Sequence, residues 1–141
     1  MANDTTNKFG VSLAMDNKPY ENIDTNKTLA LADCGVIQNV IADSVTITLP
    51  ATIAGATFTI RNGGVPVASG PAGSGSNGQL LVTVAPNASD QIAGLNFTAT
   101  DNKAALNTKA TAQVGDYITL VADATNGWCV QDAKGIWARA A

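Results

Sequence analysis

The sequence predicts an all-β fold, an antiparallel β-sandwich or barrel of jelly-roll-like kind, with an extended N-terminal arm. Three observations predict it. Apolar residues alternate with threonines in several short stretches, the period of a half-buried strand. Glycine, proline and asparagine turn signals separate these stretches, which recur at intervals of about a dozen residues. No stretch holds a sustained apolar period of 3.6 residues.

Residues 1–27 are polar, with a brief alternation of Phe9, Val11, Leu13 and Met15. The alternation fits a strand, and the segment fits equally an arm that orders against a partner; taken as an arm, it leaves 28–141 as the β domain. "TLALAD" and "GVIQNVI" are short β-like runs. "SVTITLP" sets Val45, Ile47 and Leu49 on one face and Thr46 and Thr48 on the other, and Pro50 ends the run. "ATFTIRN" alternates Phe58 and Ile60 with Thr57 and Thr59, and Asn62-Gly63-Gly64 turns the chain. Residues 63–79 are rich in Gly, Pro and Ser and read as loop. "QLLVTVAP" alternates Leu80, Val82 and Val84 with Leu81 and Thr83. In "NASDQIAGLNFTAT" the inward residues are Ile92 and Phe97. A short helix over 101–106 competes with loop in the next stretch. "DYITLVAD" is a strong strand, "WCVQD" runs back from it, and "IWARA" adds one more. Val45–Gly55 and Tyr117–Gly127 share a strand–turn–glycine–strand layout, which predicts two hairpins of one kind. The final hairpin ties down the terminus and buries Trp128 and Trp137, whose indole N–H groups want partners.

Composition narrows the function classes. Charged residues are 13%, about half the usual share. The β-branched content argues for a folded chain whose surface is built from Thr, Asn, Ser and Gly. The net charge is −3 and the eight basic residues are scattered, so nucleic acid is not an expected partner. No apolar run is long enough to span a membrane. "MANDTTNKFG" has neither a basic start nor an apolar stretch, so no signal peptide is read there.

Histidine is absent, which removes histidine-based acid–base, nucleophilic and metal chemistry. Cys34 and Cys129 lie too far apart in sequence for a zinc motif. They read either as reduced thiols or as a disulfide joining the last strands to an early one. The aspartates at 43, 90, 101, 116, 123 and 132 fall mostly in turns, where Asp serves turn geometry. No calcium loop motif and no Gly-Lys-Ser/Thr phosphate loop is present. No enzyme activity, cofactor or metal is expected. The Asn-x-Ser/Thr triplets at Asn3, Asn26, Asn87 and Asn96 follow from composition.

"SVTITLPATIAGATFTIRN", "LLVTVAPNASDQIAG" and "NTKATAQVGDYITLVADATNGWCVQDAKGIWA" together resemble small structural proteins of tailed bacteriophages. The resemblance runs over about residues 44–138, roughly two thirds of the chain. It is strongest at Gly115-Asp116, Thr119-Leu120-Val121, Asp123, Asn126-Gly127-Trp128 and Gly135-Ile136-Trp137. Cys129 stands where the pattern has Tyr or Phe. These blocks recur in capsid decoration, or cement, proteins and in fibre modules. The resemblance implies a virion protein, assembled in the host cytoplasm, that binds the major capsid protein on the shell's outer surface and self-associates. A trimer is favoured over a dimer. The competing expectation is a head- or tail-fibre module that binds a host receptor or glycan, although no repetitive shaft is visible. A secreted carbohydrate-binding module fits less well, because aromatics are few. Docking residues are expected among aromatics near the chain ends, namely Phe9, Tyr20 and Trp137.

Overall fold

A computed structural model describes residues 19–64, 79–123 and 127–141. The alternating stretches form strands where the period places them, each burying its apolar face. β1 (Tyr20–Ile23), β2 (Lys27–Thr28), β3 (Ile37–Val40) and β4 (Val45–Thr48) come first. β5 (Thr57–Asn62), β6 (Val82–Ala85), β7 (Gln91–Ala93) and β8 (Ala105–Asn107) follow. β9 (Tyr117–Ala122), β10 (Gly127–Lys134) and β11 (Ala138–Arg139) complete the chain. The one helical element among the described residues is a single 3-10 turn at Leu31–Asp33, within a run expected to be β-like. The region considered for a helix over 101–106 instead leads into β8.

The strands form two sheets, ordered β1-β3-β5-β9-β10-β7 and β11-β8-β6-β4-β2. One buried cluster draws side chains from both, including Ile23, Val40, Phe58, Ile60, Ile118, Leu120 and Trp128 from the first. Val45, Ile47, Val82, Val84 and Ala105 come from the second. The molecule is therefore a two-sheet sandwich and not a closed barrel. Each Val, Leu, Ile or Phe sealed in this layer contributes about 1.5–3 kcal/mol.

The sheets are mixed, which corrects the expectation of a wholly antiparallel fold. β1–β3, β3–β5, β2–β4, β4–β6 and β10–β7 pair parallel. β5–β9, β9–β10, β6–β8 and β8–β11 pair antiparallel. Parallel neighbours need a crossover. Here the chain crosses by laying each intervening strand in the opposite sheet, so β1/β2, β3/β4 and β5/β6 stack as three successive coils. This winding replaces jelly-roll connectivity, which is antiparallel. It also separates the two segments expected to be matching hairpins. β9 and β10 do form a hairpin, whereas β4 and β5 belong to different sheets.

Residues 20–27, placed in the arm by the sequence, supply β1 and the first residue of β2, strands at the outer edge of each sheet, and Ile23 reaches the core. The rest of the arm, residues 1–18, lies outside the described residues, as does most of the glycine-rich stretch. Lys27 in β2 links to β1, β3 and the 3-10 turn. Its ammonium donates to Glu21 at 2.6 Å, Asp33 at 3.0 Å and the buried Gln38 Oε1 at 3.0 Å.

Candidate functional site

Two polar assemblies stand out, one inside the sandwich and one on its surface. The inner one begins at Asn62, the last inward position of β5. Its Nδ2 donates to Asn107 Oδ1 at 2.7 Å and to Leu80 O at 3.1 Å, and its Oδ1 accepts from Gly64 N–H at 3.1 Å. Asn107 Nδ2 donates in turn to Asp116 Oδ2 at 3.0 Å and to Ile136 O at 3.1 Å. Asp116 Oδ2 also accepts from Gln113 N–H at 2.9 Å. Asn62, Asn107 and Asp116 are buried, so these partners satisfy groups that would otherwise be costly to seal from water. Gly135 has φ of +94°, and a Cβ there would collide with the Asp116 carboxylate. Only glycine fits on both counts. The assembly is a clasp, holding β5 and β9 of one sheet to β8 of the other and drawing in the terminal segment at Ile136.

The surface assembly lies on the outer face of the six-stranded sheet. Strand register aligns Tyr20, Ile37, Thr59, Thr119 and Asp132 in one cross-strand row. The next row is Asn22, Asn39, Arg61, Tyr117 and Lys134. Asn39 Nδ2 donates to Asn22 Oδ1 at 2.9 Å, and Arg61 Nη1 donates to Asn39 Oδ1 at 2.6 Å. The Thr59 and Thr119 hydroxyls share a 2.9 Å hydrogen bond. Tyr117 Oη donates to Asp132 Oδ2 at 2.8 Å, and this bond, with the Asp132 charge, raises the phenol pKa above its ordinary 10.0.

Two adjoining depressions mark this face. One, of about 260 Å³, is lined by Tyr20, Ile37, Asn39 and Arg61. The other, of about 300 Å³, is lined by Ile37, Thr59, Arg61, Tyr117 and Thr119. Among the described residues, no group of three or more His, Cys, Asp or Glu side chains gathers as a metal site would require.

The expected docking residues are dispersed. Tyr20 is 62% exposed on the outer face. Trp137 is buried at 8% exposure, and its Nε1 donates to Lys134 O at 3.0 Å. Its ring belongs to the buried cluster of its own chain. Phe9 lies outside the described residues. Trp128 is buried against Phe58, with ring centroids 5.4 Å apart and tilted by 47°. Contrary to expectation, its indole N–H finds no acceptor among the described residues. Cys34 and Cys129 are free thiols, with Cys129 exposed.

Sequence reasoning passed over Asn39, Arg61, Tyr117 and Lys134. Alternation puts Arg61 outward with Thr57 and Thr59, and that much was readable. Its neighbours become readable only once β3, β5, β9 and β10 are known to lie side by side. Compared with known proteins, the chain matches no family model and no curated sequence.

Proposed function

We propose that this chain is a virion structural protein that binds and stabilises the outer surface of a phage capsid. The major capsid protein is its partner. The chain self-associates on the shell, as a trimer in preference to a dimer. The observation that carries this reading is what the resembling residues do in the fold. Asp116 is the carboxylate of the inner clasp, Gly135 makes room for it, and Trp137 seals the terminal segment. The motif thus serves cohesion between sheets, the property a shell-stabilising module needs.

The test uses virions of the phage that encodes the chain. Mild chaotrope should strip the protein from the shell, and recombinant protein should return to stripped shells with saturable stoichiometry. Recombinant protein that never sediments with stripped shells would refute the proposal. The second reading, a fibre module that binds a host receptor or glycan, is favoured by the two depressions of the outer face.

A further inference from the structure

Among the described residues, Arg61, Lys134 and Arg139 are cations without counterions. Lys27 pairs with Glu21 and Asp33, and Lys109 pairs with Asp43. Lys103 donates to Ala141 O. Arg61 donates one Nη1 hydrogen bond to Asn39, and among the described residues most of its five N–H groups have no other acceptor. Neither Arg61 nor Lys134 has a carboxylate within 4 Å among the described residues. The two converge over Gly115, where a Cβ would stand 3.8 Å from Lys134 Nζ and 4.0 Å from Arg61 Nη2. In a chain of net charge −3, these two cations on either side of Gly115 give this end of the sheet a local positive field.

We propose that this face binds an acidic saccharide. Arg61, which lines both depressions, holds its carboxylate, Lys134 adds its charge from beyond their rim near Gly115, and Tyr20 and Tyr117 flank its rings. The planar guanidinium fork matches a carboxylate better than a point charge does. The choice of a sugar over an acidic protein surface rests on shape and lining. The depressions share Ile37 and Arg61, so consecutive sugar units can fill them with one carboxylate at the shared cation. Each volume sits near the lower end for small-ligand sites, and a flat protein interface would leave such hollows unfilled. The lining offers Thr59 and Thr119 hydroxyls and the Asn39 amide to sugar hydroxyls. Tyrosine rings offer apolar faces to sugar C–H groups while keeping a polar edge in water. Asp132 fixes Tyr117 in place and adds an acceptor. The site is independent of which other surface meets a shell.

The test is an NMR titration of the full chain. Its probes are glucuronate-, galacturonate- and sialate-terminated oligosaccharides, their carboxyl-reduced counterparts, sodium acetate and an oligo-glutamate peptide. At least one acidic sugar should shift the amides of Ile37, Thr59, Arg61, Tyr117 and Thr119. Its carboxyl-reduced counterpart should bind at least about tenfold more weakly, one charge-assisted contact's worth. Arg61→Gln and Lys134→Gln should each weaken binding by a similar factor, and added salt should weaken it further. Lys134→Gln alters only an exposed strand end, so it reads the site even if Arg61→Gln perturbs the sheet. The proposal fails if none of the three acidic sugars shifts this face. It fails equally if acetate or oligo-glutamate binds as tightly, or if Lys134→Gln leaves affinity unchanged.

Discussion

Asn107 in β8 donates to Asp116 Oδ2 at 3.0 Å across the sandwich, and both side chains are sealed from water. This bond joins the five-stranded sheet to the start of β9 in the six-stranded sheet. Replacing Asn107 by Ala strips a partner from the Asp116 carboxylate and another from Asn62. The expected loss is about 3 kcal/mol, the cost of leaving buried polar and charged groups unpaired. Urea denaturation measures it, and a loss below about 0.5 kcal/mol, a typical surface value, would show that the clasp contributes little.

Gly135→Ala should destabilise the same region from the other side. The residue has φ of +94°, and a methyl group would collide with Asp116. Left-handed strain and a displaced carboxylate together predict a loss of at least about 2 kcal/mol. A thermal melt indistinguishable from the parent protein would contradict the close approach.

The two tryptophans should behave alike in the isolated chain. Trp128 packs on Phe58 at 1% exposure and Trp137 is 8% exposed. Trp128→Ala is expected to cost about 3–5 kcal/mol. Trp137→Phe keeps most of the ring and removes the 3.0 Å bond to Lys134 O, so about 1 kcal/mol should be lost. Light scattering should show unchanged mass for Trp137→Phe. A shift to lower mass without loss of stability would place Trp137 at an interface.

Stability should fall at both pH extremes. For Lys27, burial acts downward, but hydrogen bonds and charges from Glu21 and Asp33 outweigh it and raise the pKa above 10.5. For Asp33, burial acts upward, but the Ala30 N–H and Lys27 outweigh it and lower the pKa below 3.8. Asp43 is lowered in the same way, with Lys109 and the Leu81 N–H overcoming burial. A raised base stabilises fully below its unfolded pKa and loses that contribution as pH rises through the folded value. A lowered acid stabilises above its unfolded pKa and loses that contribution as pH falls through the folded value. Melting temperature should therefore drop below pH 3.8 and again above pH 10.5. The double variant Asp33→Asn/Asp43→Asn should flatten the acid limb. An acid limb as steep as that of the parent would assign it to other groups.

Thiol labelling should distinguish the two cysteines. Cys129 is exposed and Cys34 is partly covered, so Cys129 should react first in the native protein. Denatured chains should yield two thiols. A yield near zero would mean that the purified protein carries a disulfide.

The sequence by itself determined which residues face inward along most strands. Val45, Ile47 and Leu49, Phe58 and Ile60, and Leu80, Val82 and Val84 are buried as alternation requires, because successive strand side chains must point to opposite faces. Alternation also turned Arg61 outward. It is silent about neighbours, because the same two-residue period serves a strand in either sheet and in either direction. Only the tertiary structure decided that β1, β3 and β5 lie parallel while β2, β4 and β6 stack opposite them. The cross-strand row of Asn39, Arg61, Tyr117 and Lys134 depends on that pairing. Asn62 shows the same limit from inside. Followed by two glycines it read as a turn, yet it closes β5 facing the core, because Asn107 and Leu80 come from distant parts of the chain to satisfy its amide.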